Sequence, residues 1–387
     1  MSGILRLTWR YLAFNKVKTL ILLTCLTITI FLPLALHQLI RFYEDELGKR
    51  ARETPLLIGA KGDRFDQVLS ALYFKGEAPG AITAQDLDEL RGYGHCLSIP
   101  LYLGFSARQK PIVGTSTDYF HFRNLVPASG NLPLQLGDAV IGASAAADLG
   151  LKAGDHILSD EASLINIGGS YPLKMPVVGI LQPTGTPDDD AVFVDLKTAW
   201  VIAGIGHGHT DLDQPEASGF VAERDNKTIT ANPAVFTYNE ITEDNIDSFH
   251  FHSARDELPI TSMIAAPHSD KDRTLLKARY SVAENTQLLV PTEIIDELMG
   301  IVFQVKRFFD GSFLLVLAAT CLFLTLVILL SLRIRKRERM TMFHIGCDRM
   351  TIVWLQVTEL LVVLCVAALL ALVCSRIALG AASSLLG

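Results

Sequence analysis

Three long uncharged stretches constrain this chain more than anything else in it. Thr19 to Ile40 and Gly311 to Leu332 each run 22 residues without a formal charge, and Thr351 to Ser375 is broken only by Glu359. At about 1.5 Å per helical residue, 22 residues cover a hydrocarbon core of about 30 Å. Each stretch predicts a membrane helix, and three spans place the two ends of the chain on opposite sides of the bilayer.

Lys and Arg beside the spans set the orientation. The first 18 residues carry Arg6, Arg10, Lys16 and Lys18 with no acid, and the segment from Arg333 to Arg349 holds six basic residues against Glu338 and Asp348. Both belong on the cytoplasmic side. Residues 41 to 310 then face outward, with 23 basic against 38 acidic residues, a net charge of −15. The whole chain has 387 residues, mean hydropathy +0.33 and net charge −7, so an acidic domain is embedded in an apolar chain. An outer surface of that sign argues against nucleic acid as a partner.

The first span reads as an uncleaved anchor. It exceeds the usual 7 to 15 residues of a signal-peptide core and is followed by Arg41 and Glu44 where a small-residue cleavage site would stand. Of six cysteines, Cys25, Cys321, Cys365 and Cys374 fall within the spans and Cys347 in the cytoplasmic loop. Cys96 has no partner on the oxidising side, so the outer domain is expected to rest on its apolar core and not on disulfides.

Helical spacing continues from Gln38 to Glu53, which extends the first span outward as a stalk. A second stalk opens at Pro291, with Ile294, Ile295, Leu298, Met299, Val302, Val305 and Phe309 forming an apolar stripe that runs into the second span. Between the stalks, Pro55 to Ile58, Lys110 to Val113, Ala139 to Ile141, Leu173 to Leu181 and Ala191 to Val194 read as strands. Arg64 to Tyr73 and Ala84 to Gly92 read as helices. The expected fold class is a membrane α-helical protein with a large mixed α/β extracytoplasmic domain on helical stalks. Two lobes are expected in that domain, divided in Asn131 to Asp155 or in Gly204 to Gly219.

In this setting several strings resemble the MacB, LolC and FtsX class of ABC transporter permeases. They are IGAKGDRFDQVLSALY (Ile58 to Tyr73), GTSTDYF (Gly114 to Phe120), DAVIGASAAADLGLKAGD (Asp138 to Asp155), VVGILQPTGTPDDDAVFVD (Val177 to Asp195) and RKRERMTMFHIG (Arg335 to Gly346), the last followed by Glu359 in LQVTELLV. The resemblance implies a cytoplasmic amphipathic N-terminus (1–18), membrane helix 1 (19–40) and a MacB-like core domain with stalk (41–290). Next come a stalk with membrane helix 2 (291–332), a coupling loop (333–350), membrane helix 3 (351–375) and a tail (376–387). The family has four membrane helices; after Arg376 only the small, weakly apolar string IALGAASSLLG follows. Either the fourth helix is missing from this sequence or this branch does without it.

No G-x-x-x-x-G-K-[ST] phosphate cradle occurs anywhere, so the chain has no ATPase site of its own kind and no cofactor of its own. The resemblance implies a permease subunit of the bacterial inner membrane driven by a separate ATPase dimer that binds ATP. It further implies a second permease copy or homologue, a periplasmic partner and surrounding membrane lipid. Arg335, Arg337 and Glu338 would dock on the ATPase, Gly346 would end the docking helix, and the stalks would move the outer domain. Glu359 is an intramembrane carboxylate, which insertion scales penalise by about 2.5–3.5 kcal/mol at mid-depth; it is expected to make a polar contact near the interface.

Two H-x-H pairs, His207 with His209 and His250 with His252, have carboxylates nearby at Asp211, Asp213 and Asp247. Imidazole and carboxylate suit Zn²⁺, and an i, i+2 pair on a strand projects to one face. If the pairs meet, a zinc-transporting or zinc-sensing permease is the alternative reading; a solvated loop pair with no ligand is the plainer one. A membrane-anchored extracytoplasmic sensor is a further alternative, although only the N-terminal segment and one loop lie inside. Asp188, Asp189 and Asp190, after Pro187, read as an exposed turn.

Overall fold

A computed structural model describes residues 2–132, 135–160, 172–208, 221–225, 228–231, 239–251, 253–334 and 336–384. The chain divides into two compact units, Met1–Leu47 with Glu297–Leu386, and Gly48–Asp296.

The helical unit is built on α1 (Ser2–Phe14) and α2 (Lys16–Arg52), with the long helices of the C-terminal third. Among the described residues three helices are long and apolar enough to cross a membrane, as the uncharged runs predict. Within this unit Leu12, Leu26, Val363 and Ala367 form a small buried cluster, and the Thr8 and Thr358 hydroxyls bond at 3.1 Å. Many apolar side chains of the spans, such as Leu314, Leu315 and Leu322, are exposed. That pattern suits helices solvated by lipid.

The second unit follows in the order β1 (Leu56–Ala60), α3 (Arg64–Tyr73), β2 (Ile82–Thr83), α4 (Ala84–Tyr93), β3 (Cys96–Ala107), β4 (Lys110–Thr115), α5 (Thr117–Arg123) and β5 (Pro127–Gly130). Then come β6 (Ala139–Ile141), α6 (Ala143–Leu149), β7 (His156–Leu158), β8 (Lys174–Leu181), β9 (Val192–Asp195), α7 (Leu196–Ile202), β10 (Gly206–Gly208), β11 (Val221–Asp225) and β12 (Thr228–Ala231). It ends with β13 (Phe249–Phe251), β14 (Pro259–Ile260), β15 (Ser262–Pro267), α8 (Asp270–Ser281) and β16 (Thr286–Leu289). The chain closes with α9 (Pro291–Ile334), α10 (Lys336–His344) and α11 (Arg349–Ser384).

Local signals account for the helix ends. Asp63 caps α3 through its side chain on the Phe65 and Asp66 amides, and Phe74 closes it in the left-handed region at φ 55°. Thr83 and Asp86 form a capping box on α4. The strands assemble by pairings that no local signal carries. A ten-stranded sheet runs β16-β1-β15-β3-β4-β9-β6-β8-β5, with β7 on β8. Its pairs are antiparallel except β4 with β9 and β6 with β8.

Two apolar clusters line this one sheet. Leu56, Ile58, Leu90, Met263 and Trp200 belong to the first, and Ile112, Ile141, Val177, Val194 and Ile202 to the second. Tyr102, in the bent middle of β3 where the register with β4 shifts, packs against both. The two clusters share one sheet and meet at Tyr102 of β3; of the stretches expected to divide the domain, most of Gly204 to Gly219 lies outside the described residues.

Candidate functional site

The most strongly built polar group in the α/β unit gathers at the C-terminal end of α2. Arg50 is only 3% exposed and Asp188 1%. The guanidinium donates from Nη1 to Asp188 Oδ2 at 2.6 Å and from Nη2 to Oδ1 at 2.8 Å, a bidentate pair. Nη2 also donates to the Tyr119 hydroxyl at 2.7 Å and Nε to the Leu72 carbonyl at 3.1 Å, while Tyr119 donates to Asp188 at 2.6 Å. All three guanidinium nitrogens of Arg50 and both oxygens of Asp188 have a partner, which is the condition under which a buried pair is tolerated.

Its electrostatics follow from that geometry. Burial opposes ionisation of Asp188, but the adjacent Arg50 charge and hydrogen bonds outweigh it and hold the carboxyl below its ordinary range. For Arg50, burial works against the charge, and Tyr119 and Asp188 more than offset it, so the guanidinium stays charged. Burial raises the Tyr119 phenol, keeping it a neutral donor. The neighbouring Arg123 donates to Thr54 at 2.7 Å and lies over the Tyr119 ring.

The three consecutive aspartates are thus not an exposed turn. Asp188 and Asp189 are 1% and 7% exposed, because Asp188 meets Arg50 from 138 positions away and Asp189 accepts from the Thr184 and Gly185 amides. Asp190 pairs with Lys110. The turn lies directly on Gly142, where a Cβ would come within 2.3 Å of the Asp188 carbonyl oxygen. Tyr119, Gly142 and Asp188 fall in three of the strings that carried the family resemblance; Arg50 does not, and its basic neighbours Lys49 and Arg52 hid it among ordinary surface charge.

Between the second and third long helices, α10 is the short helix expected of the cytoplasmic loop. Arg337 and Glu338 lie on it and Arg337 is exposed, whereas Arg335 lies outside the described residues. Gly346, at φ 98°, donates to the Phe343 carbonyl while Cys347 reaches back to Met342, a left-handed helix termination. Met340 and Phe343 on the same helix are 54% and 47% exposed. The basic residues drew attention away from these apolar neighbours.

Glu359 faces Lys18 at 3.8 Å within the helical unit. Lys18 is one of the basic residues that set the orientation in the sequence. Of the histidines, His207 and His250 stand directly opposite each other on β10 and β13 with ring centroids 4.9 Å apart. His209 and His252, with Asp211 and Asp213, lie outside the described residues. Among the described residues no three metal-ligating side chains gather in one place.

No family model and no curated protein matches this chain. Two solved structures similar to it are domains of transporters. The periplasmic region of MacB from Actinobacillus actinomycetemcomitans is 10% identical, with a TM-score of 0.36 over 64% of this chain and 94% of that one. The extracellular domain of the noncanonic ABC-type transporter YknZ from Gram-positive bacteria is 11% identical, with a TM-score of 0.33 over 60% of this chain and 98% of that one.

Proposed function

We propose that this chain is a permease subunit of a MacB, LolC and FtsX-like ABC transporter, in which a separate ATPase drives movement of the α/β domain through helical stalks. The observation that carries this reading is the continuity of α2 and α9. Each runs unbroken from an apolar span into the residues of the α/β unit, α2 over Lys16–Arg52 and α9 over Pro291–Ile334. A helix without a break carries displacement and rotation along its axis. At its far end α2 is held by the bidentate Arg50–Asp188 pair, and α9 buries Ile294 and Ile295.

In the proposed cycle the ATPase dimer binds ATP and closes, α10 follows it, and the stalks convert that motion into rearrangement of the outer domain. Arg337 and Glu338 supply the polar part of the docking surface, with Met340 and Phe343 as its apolar part. The N-terminus and α10 lie in the cytoplasm of a bacterial inner membrane, with the α/β domain in the periplasm. A second copy or a homologue completes the complex, since three spans enclose no path. The substrate need not cross the bilayer.

The full-length protein purified from its native host in mild detergent should bring down an ABC ATPase identifiable by mass spectrometry. Charge reversal with Arg337→Glu and Glu338→Lys should remove that ATPase while the α/β domain keeps its thermal transition. Recovery of a signalling partner and no ATPase would overturn the permease reading.

A further inference from the structure

The ladder β10–β13 is built to present two imidazoles on one face. Its strands read Gly-His-Gly and Phe-His-Phe, in antiparallel register Gly206 with Phe251, His207 with His250 and Gly208 with Phe249. Phe249 packs on one apolar cluster and Phe251 on the other, with Phe251 edge-on to Trp200 at 6.0 Å. The two glycines are required there: a Cβ at Gly206 would come within 2.4 Å of the Phe251 ring and one at Gly208 within 2.6 Å of Phe249. Because side chains alternate along a strand, packing Phe249 and Phe251 against the clusters turns His207 and His250 together to the opposite face; all four are half-buried.

We propose that His207 and His250 are ligands of a site for a late first-row divalent ion, with Zn²⁺ or Cu²⁺ as the fitting chemistry. Imidazole is the ligand such ions take most readily. Two imidazoles held on one ion by bonds of about 2.1 Å have centroids roughly 4.5 Å apart at a right angle and about 5.2 Å apart at the tetrahedral angle. The observed 4.9 Å falls between them. The Nδ1 of His250 lies 2.8 Å from the Ser248 carbonyl. A carbonyl only accepts, so Nδ1 carries the proton and Nε2 is the ligating nitrogen. A backbone acceptor behind the ring is the usual way in which a metal-binding histidine is oriented. This inference stands apart from the permease reading and requires no ATPase.

The test uses the full-length protein in detergent, stripped with a chelator and dialysed against Zn²⁺, with Cu²⁺ as a spectroscopic probe. Wild type should take up about one ion per chain, and the Cu²⁺ spectrum should carry hyperfine structure from two nitrogens. His207→Ala and His250→Ala should each weaken uptake by at least about tenfold, and His207→Gln, which preserves the size and polarity of the strand position, should do the same with an unchanged melting temperature in the absence of metal. Ten histidines in the chain make background binding possible, so the single variants decide. No uptake by wild type, or uptake unaltered in all three variants, overturns the site.

Discussion

Replacing Arg50 by methionine removes one partner of a fully buried ion pair while keeping most of the side-chain volume. Asp188 would retain the hydroxyls of Tyr119 and Thr186 and the more distant Arg123 charge, and the Leu72 carbonyl would lose its donor. Removing one member of such a pair costs about 3–5 kcal/mol, because the other charge stays buried without compensation. For a unit the size of Gly48–Asp296, each kcal/mol lowers the melting temperature by about 2–4 °C, so the expected drop is roughly 6 to 20 °C. The transition can be followed in the full-length protein through Trp200, which is 2% exposed, with Trp9 and Trp354 changed to Phe. Arg50→Met with Asp188→Leu removes both charges and should recover at least about half of the loss, the remainder being the stranded Tyr119 hydroxyl. A single-variant drop under about 2 °C, or a double variant no better than the single, would refute the view that this pair fastens α2 to the domain.

Two further outcomes follow from the same neighbourhood. Asp188 has a folded-state pKa below its unfolded value, so its contribution is present above the unfolded pKa and is lost as pH falls through the folded one. The melting-temperature gap between wild type and Asp188→Asn should hold from pH 7 to pH 5 and narrow below about pH 4; a gap that is flat down to pH 2 would contradict this. Gly142→Ala drives a Cβ into the Asp188 and Asp189 carbonyl oxygens at 2.3 and 2.4 Å. It should cost about 1–3 kcal/mol, whereas Gly92→Ala, with open space around its Cβ, should be neutral or stabilising by up to about 1 kcal/mol within α4.

The membrane helices were legible because a 22-residue uncharged run has few other fates in water. The bounds of α3 were legible because Asp63 and Phe74 punctuate both ends. The sheet order was not, since β1 lies between β15 and β16, more than 200 positions away, and local periodicity carries no record of such a partner. Sequence separation, here 138 positions, also hid the Arg50–Asp188 pair. Pro187 followed by three aspartates carries a sound turn signal, and a turn does form there; its burial depends on Arg50, which looked like surface charge. The histidine pairs were visible as H-x-H motifs, yet which members meet is a matter of register, and register put His207 against His250.

The unbroken run of α2 from Lys16 to Arg52 also fixes a phase. Successive helical residues are turned by about 100° about the axis, so the bearing of Arg50 is tied to that of every residue in the span below it. One alanine inserted into α2 after Asp45 adds one helical step of about 100° between the residues before it and Arg50. Seven inserted residues would return that bearing to within about 20° while lengthening the shaft by about 10 Å. Under the proposed permease cycle, activity should therefore respond to insertions periodically and not in proportion to their length. A flexible tether would show no such rhythm.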